Sequence, residues 1–372
     1  MTARVLHLHI GLQKTGTSYL QRIFWDSVPE LSRQGVDLVP GTKLGTFRLM
    51  LDVRGRFNPA IDPPSVGTSV ERLPDQLRGA AGDALLSQES LATATSEQIE
   101  RLLAATADRE VRVIVTLRDL GRQIPSAWQQ TLQTGKSEPL GRYVRRLRST
   151  QGTDAKMWAT MDAPAILERW RKHVPADQIT VVTVPPGGSA PRLLLDRFCS
   201  VLGVSADELV VDPGARGNRS LRAEQAEVLR RVNRQLPPEF KRRNVYGDLG
   251  KRYFAVKVLG DDSGTKIQLP DDLYDWTSEV SQQHVAHIRD GGYRVVGDLD
   301  DLLPVRSDFS TEPVRVSHKA VAEVSTRVIT QLLVDRMEDR NREAQRPVPA
   351  APAPAAARPT GRLAGVVDRF RR

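Results

Sequence analysis

The chain has one cysteine in 372 residues, Cys199 in "LLLDRFCSVLGV". A single thiol excludes an internal disulfide framework and a cysteine metal cluster, and it suits a reducing compartment. In that apolar setting Cys199 is expected to pack as a small hydrophobe. No secretory leader is expected. "VLHLHIGL" is too short and too polar for one, and no apolar run approaches the length of a bilayer span. The expectation is a cytoplasmic protein. Nor is there a bulk positive charge of the kind that binds nucleic acid. The net charge is +9, but residues 340–372 carry eight arginines against Glu343 and Asp368, so that tail holds +6 and leaves +3 for the rest. No internal repeat is visible.

What is present alternates between two periods. "RVLHLHI" at 4–10 reads as a strand with β-like alternation. It runs into Gly11 and Gly16, and "TSYLQRIFWDS" then spaces Tyr19, Leu20, Ile23 and Phe24 as a helix does. Residues 40–80 show no steady period and read as an irregular excursion with short helices. "DALLSQES" at 83–90 is a short buried strand. "SEQIERLLAATA" is a helix with Ser96 as its N-cap. "EVRVIVTLRD" at 110–119 is the clearest strand. "GRQIPSAWQQTLQTG" is a helix with Pro125 in or near its first turn and Gly135 closing it. A helix over "APAILERWRKHV", a strand over "QITVVTV" and a helix ending at Gly203 follow. Beyond residue 220 the pattern becomes helical, with amphipathic segments in "SLRAEQAEVLRRVNRQL", "LYDWTSEVSQQHVAHIRDGGYRVV" and 316–339.

Strands alternating with helices predict an α/β fold, a parallel sheet flanked by helices in three layers. The expected organisation is one domain over 1–345, with core motifs in 4–220 and a helical portion over 220–345. A Pro/Ala-rich linker follows at 346–360 and a basic amphipathic tail at 361–372. The tail places Leu363, Val366, Val367 and Phe370 on one face among arginines. That pattern suits a membrane surface or a partner helix, with a frayed terminus as the plain alternative.

In an α/β sheet, ligands bind at the carboxyl ends of the strands. The loop after the first strand is Gly11-Leu12-Gln13-Lys14-Thr15-Gly16-Thr17-Ser18. It keeps the two glycines and the final hydroxyl of a Walker A loop, G-x-x-x-x-G-K-[ST], but Thr17 stands where the ATPase lysine belongs. No strand ends in a clean magnesium-binding Asp, because Asp119 has Arg118 beside it. The amides of residues 14–18 would still form an anion nest, and Lys14 would meet a different part of the ligand, such as a bridging oxygen next to the first phosphate.

"GLQKTGTSYL" resembles the 5′-phosphosulfate loop of the sulfotransferases that use 3′-phosphoadenosine 5′-phosphosulfate (PAPS). The family carries a second motif, an arginine at a strand end and a serine eight residues on, both contacting the 3′-phosphate. "TLRDLGRQIPSAW" supplies Arg118 and Ser126 at that spacing. The resemblance implies a P-loop-type sulfotransferase fold and sulfuryl transfer from PAPS to a hydroxyl without a metal. The acceptor would be a carbohydrate, a glycolipid or another small metabolite, with no nucleic-acid partner and with peripheral membrane contact through the tail. It also implies that Lys14, Thr15, Gly16, Thr17 and Ser18 hold the phosphosulfate, and that Arg118 and Ser126 hold the 3′-phosphate. Arg219 and Ser220, in "GARGNRSL", would reach that phosphate too, unless Ser220 or Asn218 is a plain helix cap. Relatives use a His or a Glu at the end of the preceding strand as general base, which makes Glu89 the candidate here; a capping or surface carboxylate is the plain alternative. His7 and His9 are rivals on one face of the first strand. "HVAH" at 284–287 has helical spacing but no third metal ligand. Trp128 reads as core, with Gln129 beside it. Two other readings compete: a kinase-like phosphotransferase with a degenerate loop, and a non-catalytic nucleotide-binding relative.

Overall fold

The computed structural model describes residues 4–106, 109–153, 155–212, 220–242, 245–260, 263–312 and 314–345. Two compact units divide the chain, Met1–Thr326 and Arg327–Arg372. In the second, the described residues belong to the helix His318–Ala344 and Gln345. The linker and tail at 346–372 lie outside the described residues, as does Arg219.

A six-stranded parallel sheet forms the centre of the first unit. Its strands are β1 (Val5–Gly11), β2 (Val36–Leu38), β3 (Asp83–Ser87), β4 (Glu110–Leu117), β5 (Ile179–Thr183) and β7 (Arg294–Val296), in the spatial order β2-β3-β1-β4-β5-β7. A separate parallel pair joins β6 (Leu269–Pro270) to β8 (Phe309–Ser310). The α/β class and the parallel sheet are therefore as the alternation of periods implied.

Side chains alternate between two apolar cores, one on each face of the sheet. Leu6, Leu8, Ile10, Leu86, Val113 and Val115 pack on one face with α5 (Ser96–Ala104), α8 (Ala163–Arg171) and the helix Tyr274–Asp290. Leu85, Ile114 and Val182 face the other way, against α1 (Thr17–Asp26) and α9 (Leu193–Leu202). Helices cover both faces, so β1 is buried along its whole length rather than alternately exposed. Each Leu or Ile buried this way contributes about 1.5–3 kcal/mol. Cys199 packs inside the second core, and burial pushes its thiol up to about 12.

Three local expectations need correction. Thr95, not Ser96, caps α5. Thr95 is extended and accepts from Gln98 N, while the Gln98 side chain returns to the Thr95 amide, a closed capping box. Pro125 lies inside α6 (Leu120–Leu132), not in its first turn, because Asp119 starts the helix one residue earlier than the glycine suggested. Ser220 does not cap α10 (Ala223–Gln235), whose N-cap is Arg222 without a side-chain bond. The edge strands β2 and β7 have only three residues each, too few for a period to register.

Candidate functional site

In this strand order the chain leaves β1 toward β2 on one side and leaves β4 toward β5 on the other. The crevice between such strands is where parallel sheets bind ligands. β1 lies between β3 and β4, so the segments leaving these three neighbours converge: the loop 11–18 after β1, Glu89 after β3, Arg118 after β4.

The loop bends through three positive φ angles, at Gly11 (104°), Lys14 (67°) and Gly16 (84°). A Cβ at Gly11 would stand 2.9 Å from Cα, Cβ and O of Glu89, so the loop and the turn carrying Glu89 meet backbone to backbone. Gly16 is the N-cap of α1 and offers no side-chain cap. Among the described residues, the amides of Lys14 through Ser18 donate to no protein acceptor, which leaves them free for an anion.

The Thr15 hydroxyl turns inward. It is fully buried and bonds Leu12 O and Thr116 Oγ1, both at 2.6 Å, so only the Thr15 amide is available to a ligand. Thr17 is buried and Ser18 exposed. Lys14 is half-buried and forms no ion pair among the described residues; burial, then the charges of Lys251 and Arg118, push it down to about 8 against the opposing pull of Glu89. Arg118 donates from Nη1 to Lys14 O at 3.3 Å, and its buried Nε has no partner among the described residues. Burial and Arg122 lower its pKa to about 10. Asp119 is occupied as the N-cap of α6, accepting from Arg122 N at 2.9 Å and pairing with the Arg122 side chain. Burial raises its carboxyl despite Arg122.

Glu89 opens a 3₁₀ turn, Glu89–Thr93, and accepts from Gln21 Nε2 at 3.1 Å. Arg54 clamps that turn through Ser90 O and Thr93 Oγ1. A small cavity, with room for no more than about one water, lies beside Gln21 and Ser87 and is lined by Phe24, Trp25, Pro40 and Thr46.

Lys14, Arg118 and Glu89 therefore come together. Ser126 lies half-buried on α6 and its hydroxyl makes no hydrogen bond among the described residues. Ser220 is exposed. Trp128 is core, its indole donating to Glu138 O at 2.8 Å, and Gln129 is buried. His7 and His9 are buried under the sheet, at 3% and 0% exposure, and burial holds them near 4 and 3. Neither can reach an acceptor as a base. His284 is buried and His287 lies 3.2 Å from Glu168.

Two site residues escaped sequence reasoning. Lys251 comes from a π-helical segment, Tyr246–Val258, and acts on both Lys14 and Glu89; burial lowers it, with Glu89 opposing and Arg252 and Lys43 adding to the fall. Tyr246 anchors the segment, donating to Asn233 Oδ1 at 2.5 Å. No motif marks a lone lysine that far downstream. Gln21 was equally silent, although it sits one turn beyond Thr17 on α1.

Comparisons with protein-family models, with curated proteins and with solved structures returned no match to this chain.

Proposed function

We propose that this chain is a PAPS-dependent sulfotransferase of the P-loop type, moving a sulfuryl group onto a hydroxyl of a carbohydrate, a glycolipid or another small metabolite. One observation carries the reading. Lys14 and Arg118, both desolvated and neither in an ion pair among the described residues, stand after the ends of adjacent strands beside free loop amides, and Lys251 adds positive charge there against the carboxylates of Glu89, Asp119 and Asp308. Desolvated cations that no carboxylate pairs directly are costly, and a ligand with several anionic groups offsets that cost. The phosphosulfate of PAPS fits Lys14 and the amides of Thr15 to Ser18. Its 3′-phosphate fits the terminal Nη groups of Arg118, with Ser126 one helix turn beyond Arg122.

In the transfer the acceptor oxygen attacks sulfur in line. A new O–S bond forms, the bond from sulfur to the phosphate oxygen breaks, and the electron pair remains on that phosphate. Lys14 and the amides stabilise the charge developing there. The acceptor proton goes to Glu89, and Lys251 faces the same centre. The products are a sulfate ester and adenosine 3′,5′-bisphosphate.

Calorimetry tests this. The expected result is tight binding of adenosine 3′,5′-bisphosphate in EDTA, weakened by about tenfold to a hundredfold in Arg118→Ala. Binding of Mg²⁺-ATP alone would overturn the proposal in favour of a phosphotransferase.

A further inference from the structure

A run of hydrogen bonds crosses three strands beneath the loop, and its direction is fixed by proton counting. Thr15 Oγ1 lies 2.6 Å from Leu12 O, which can only accept, so the Thr15 proton goes there. Thr15 Oγ1 must then accept from Thr116 Oγ1 at 2.6 Å. With its own proton engaged, Thr116 accepts from His9 Nε2 at 3.2 Å. The His9 imidazole is neutral because it is wholly buried, so its other nitrogen carries no proton and accepts from Ser87 Oγ at 2.8 Å. Ser87 Oγ accepts from Gln21 Nε2 at 3.2 Å, a proton shared with Ser87 O at the same distance. The second amide proton of Gln21 is left for Glu89 Oε2 at 3.1 Å.

Every member is used once, whereas a doubly protonated His9 would make Ser87 Oγ accept from both His9 and Gln21 and leave the Ser87 proton without a place in the run. An amide does not relay protons and His9 has no free lone pair, so the run conveys geometry, not charge. It starts at the loop and ends on the carboxylate.

We infer that Gln21 is a positioning residue, which holds Glu89 through Oε2, leaves Oε1 to receive the acceptor proton, and locks that carboxylate to the phosphate loop through Ser87, His9, Thr116 and Thr15. The inference rests on the reading of Glu89 as the base. It places the specificity of the transfer geometry on α1, the same helix whose N-terminus closes the phosphate loop.

The test uses the full chain carrying ¹³C at glutamate Cδ, with Glu89→Gln identifying the Glu89 line. In Gln21→Met, which cannot donate, that line is displaced or broadened relative to the parent. The affinity for adenosine 3′,5′-bisphosphate stays within about twofold, because the brace and the phosphate contacts are separate groups. Gln21→Leu, which also cannot donate and adds no charge, gives the same displacement if the methionine variant does not fold. An unchanged Glu89 line in a folded variant overturns the assignment. So does a loss of bisphosphate affinity of about tenfold or more alongside the displaced line, since Gln21 would then support the whole loop. If the parent binds no bisphosphate, the donor reading fails by itself, and the Glu89 line still decides whether Gln21 holds the carboxylate.

Discussion

The guanidinium of Arg118 reaches back across the end of the sheet to the carbonyl of Lys14, Nη1 to O at 3.3 Å. One residue leaving β4 thus fixes the backbone at the point where the loop after β1 turns left-handed. Its Nε is buried and unpartnered among the described residues. A charge-assisted bond to a phosphate contributes about 1.5–3 kcal/mol. Arg118→Ala is therefore expected to weaken adenosine 3′,5′-bisphosphate by about tenfold to a hundredfold in calorimetry. Arg118→Lys should recover only part of this, because an ammonium cannot bond the phosphate and Lys14 O as a planar fork does.

Lys14 combines two costs. Its φ of 67° is left-handed, which costs a non-glycine residue about 1–2 kcal/mol. Its ammonium is also desolvated without an ion pair among the described residues. Lys14→Gly removes both and loses some unfolded-state restriction in return. The expected outcome is a gain of about 1 kcal/mol in urea denaturation together with a severe loss of bisphosphate binding. A variant that is both less stable and unable to bind would show that the lysine is held there for packing.

The charge on Lys14 sets a pH dependence. Burial, Lys251 and Arg118 push it down to about 8, and Glu89 pulls the other way. An anion binds the protonated form. Affinity for the bisphosphate should be flat between about pH 7, above the second pKa of its phosphates, and pH 8, and fall by up to about tenfold per pH unit above that, until the pKa of the bound state is passed. Lys251→Met removes a like charge facing Lys14. It should lower affinity at neutral pH and move the break to higher pH. A break that stays in place in this variant would show that Lys251 lies too far away to matter.

How much of this was legible in the sequence depends on how local each signal is. The loop, Glu89 and Arg118 each follow a strand that its β-branched and leucine content or its alternation marks, so their place at the sheet end could be read from "VLHLHIG", "DALLS" and "EVRVIVTL". Their mutual contact could not, since it depends on β1 being inserted between β3 and β4. The loop pattern assigned Thr15 to the ligand through its amide and said nothing of its hydroxyl; the approach of Thr116 from β4 is what turns that hydroxyl inward. Thr95 lost out to Ser96 because both are good caps, and the choice rests on the Gln98 side chain reaching one amide and not the other. Lys251 is brought in by the Tyr246 anchor on Asn233, a contact between segments with no shared periodicity.

Three buried histidines make the fold acid-sensitive. Burial is the largest cause in each case, holding His7 near 4, His9 near 3 and His284 near 4, against an ordinary value of 6.5. Around His7, Asp83 and Glu110 oppose this fall and Arg112 adds to it; around His284, Asp162 opposes and His287 adds. Below pH 6.5 the unfolded chain takes up three protons that the folded chain refuses, so stability falls as pH falls. The slope is about 1.4 kcal/mol per pH unit for each histidine, or roughly 4 for the three. By pH 5 the loss is roughly 6 kcal/mol, comparable with the whole stability of an ordinary domain. Urea denaturation at pH 7, 6 and 5 should show that decline, and acid unfolding should begin above the folded-state values. His284→Leu should reduce the slope by about a third, because that site lies away from the candidate site and titrates independently. Stability that stays level from pH 7 to pH 5 would mean that these imidazoles are hydrated, and the proton count that orients Gln21 through His9 would lose its premise.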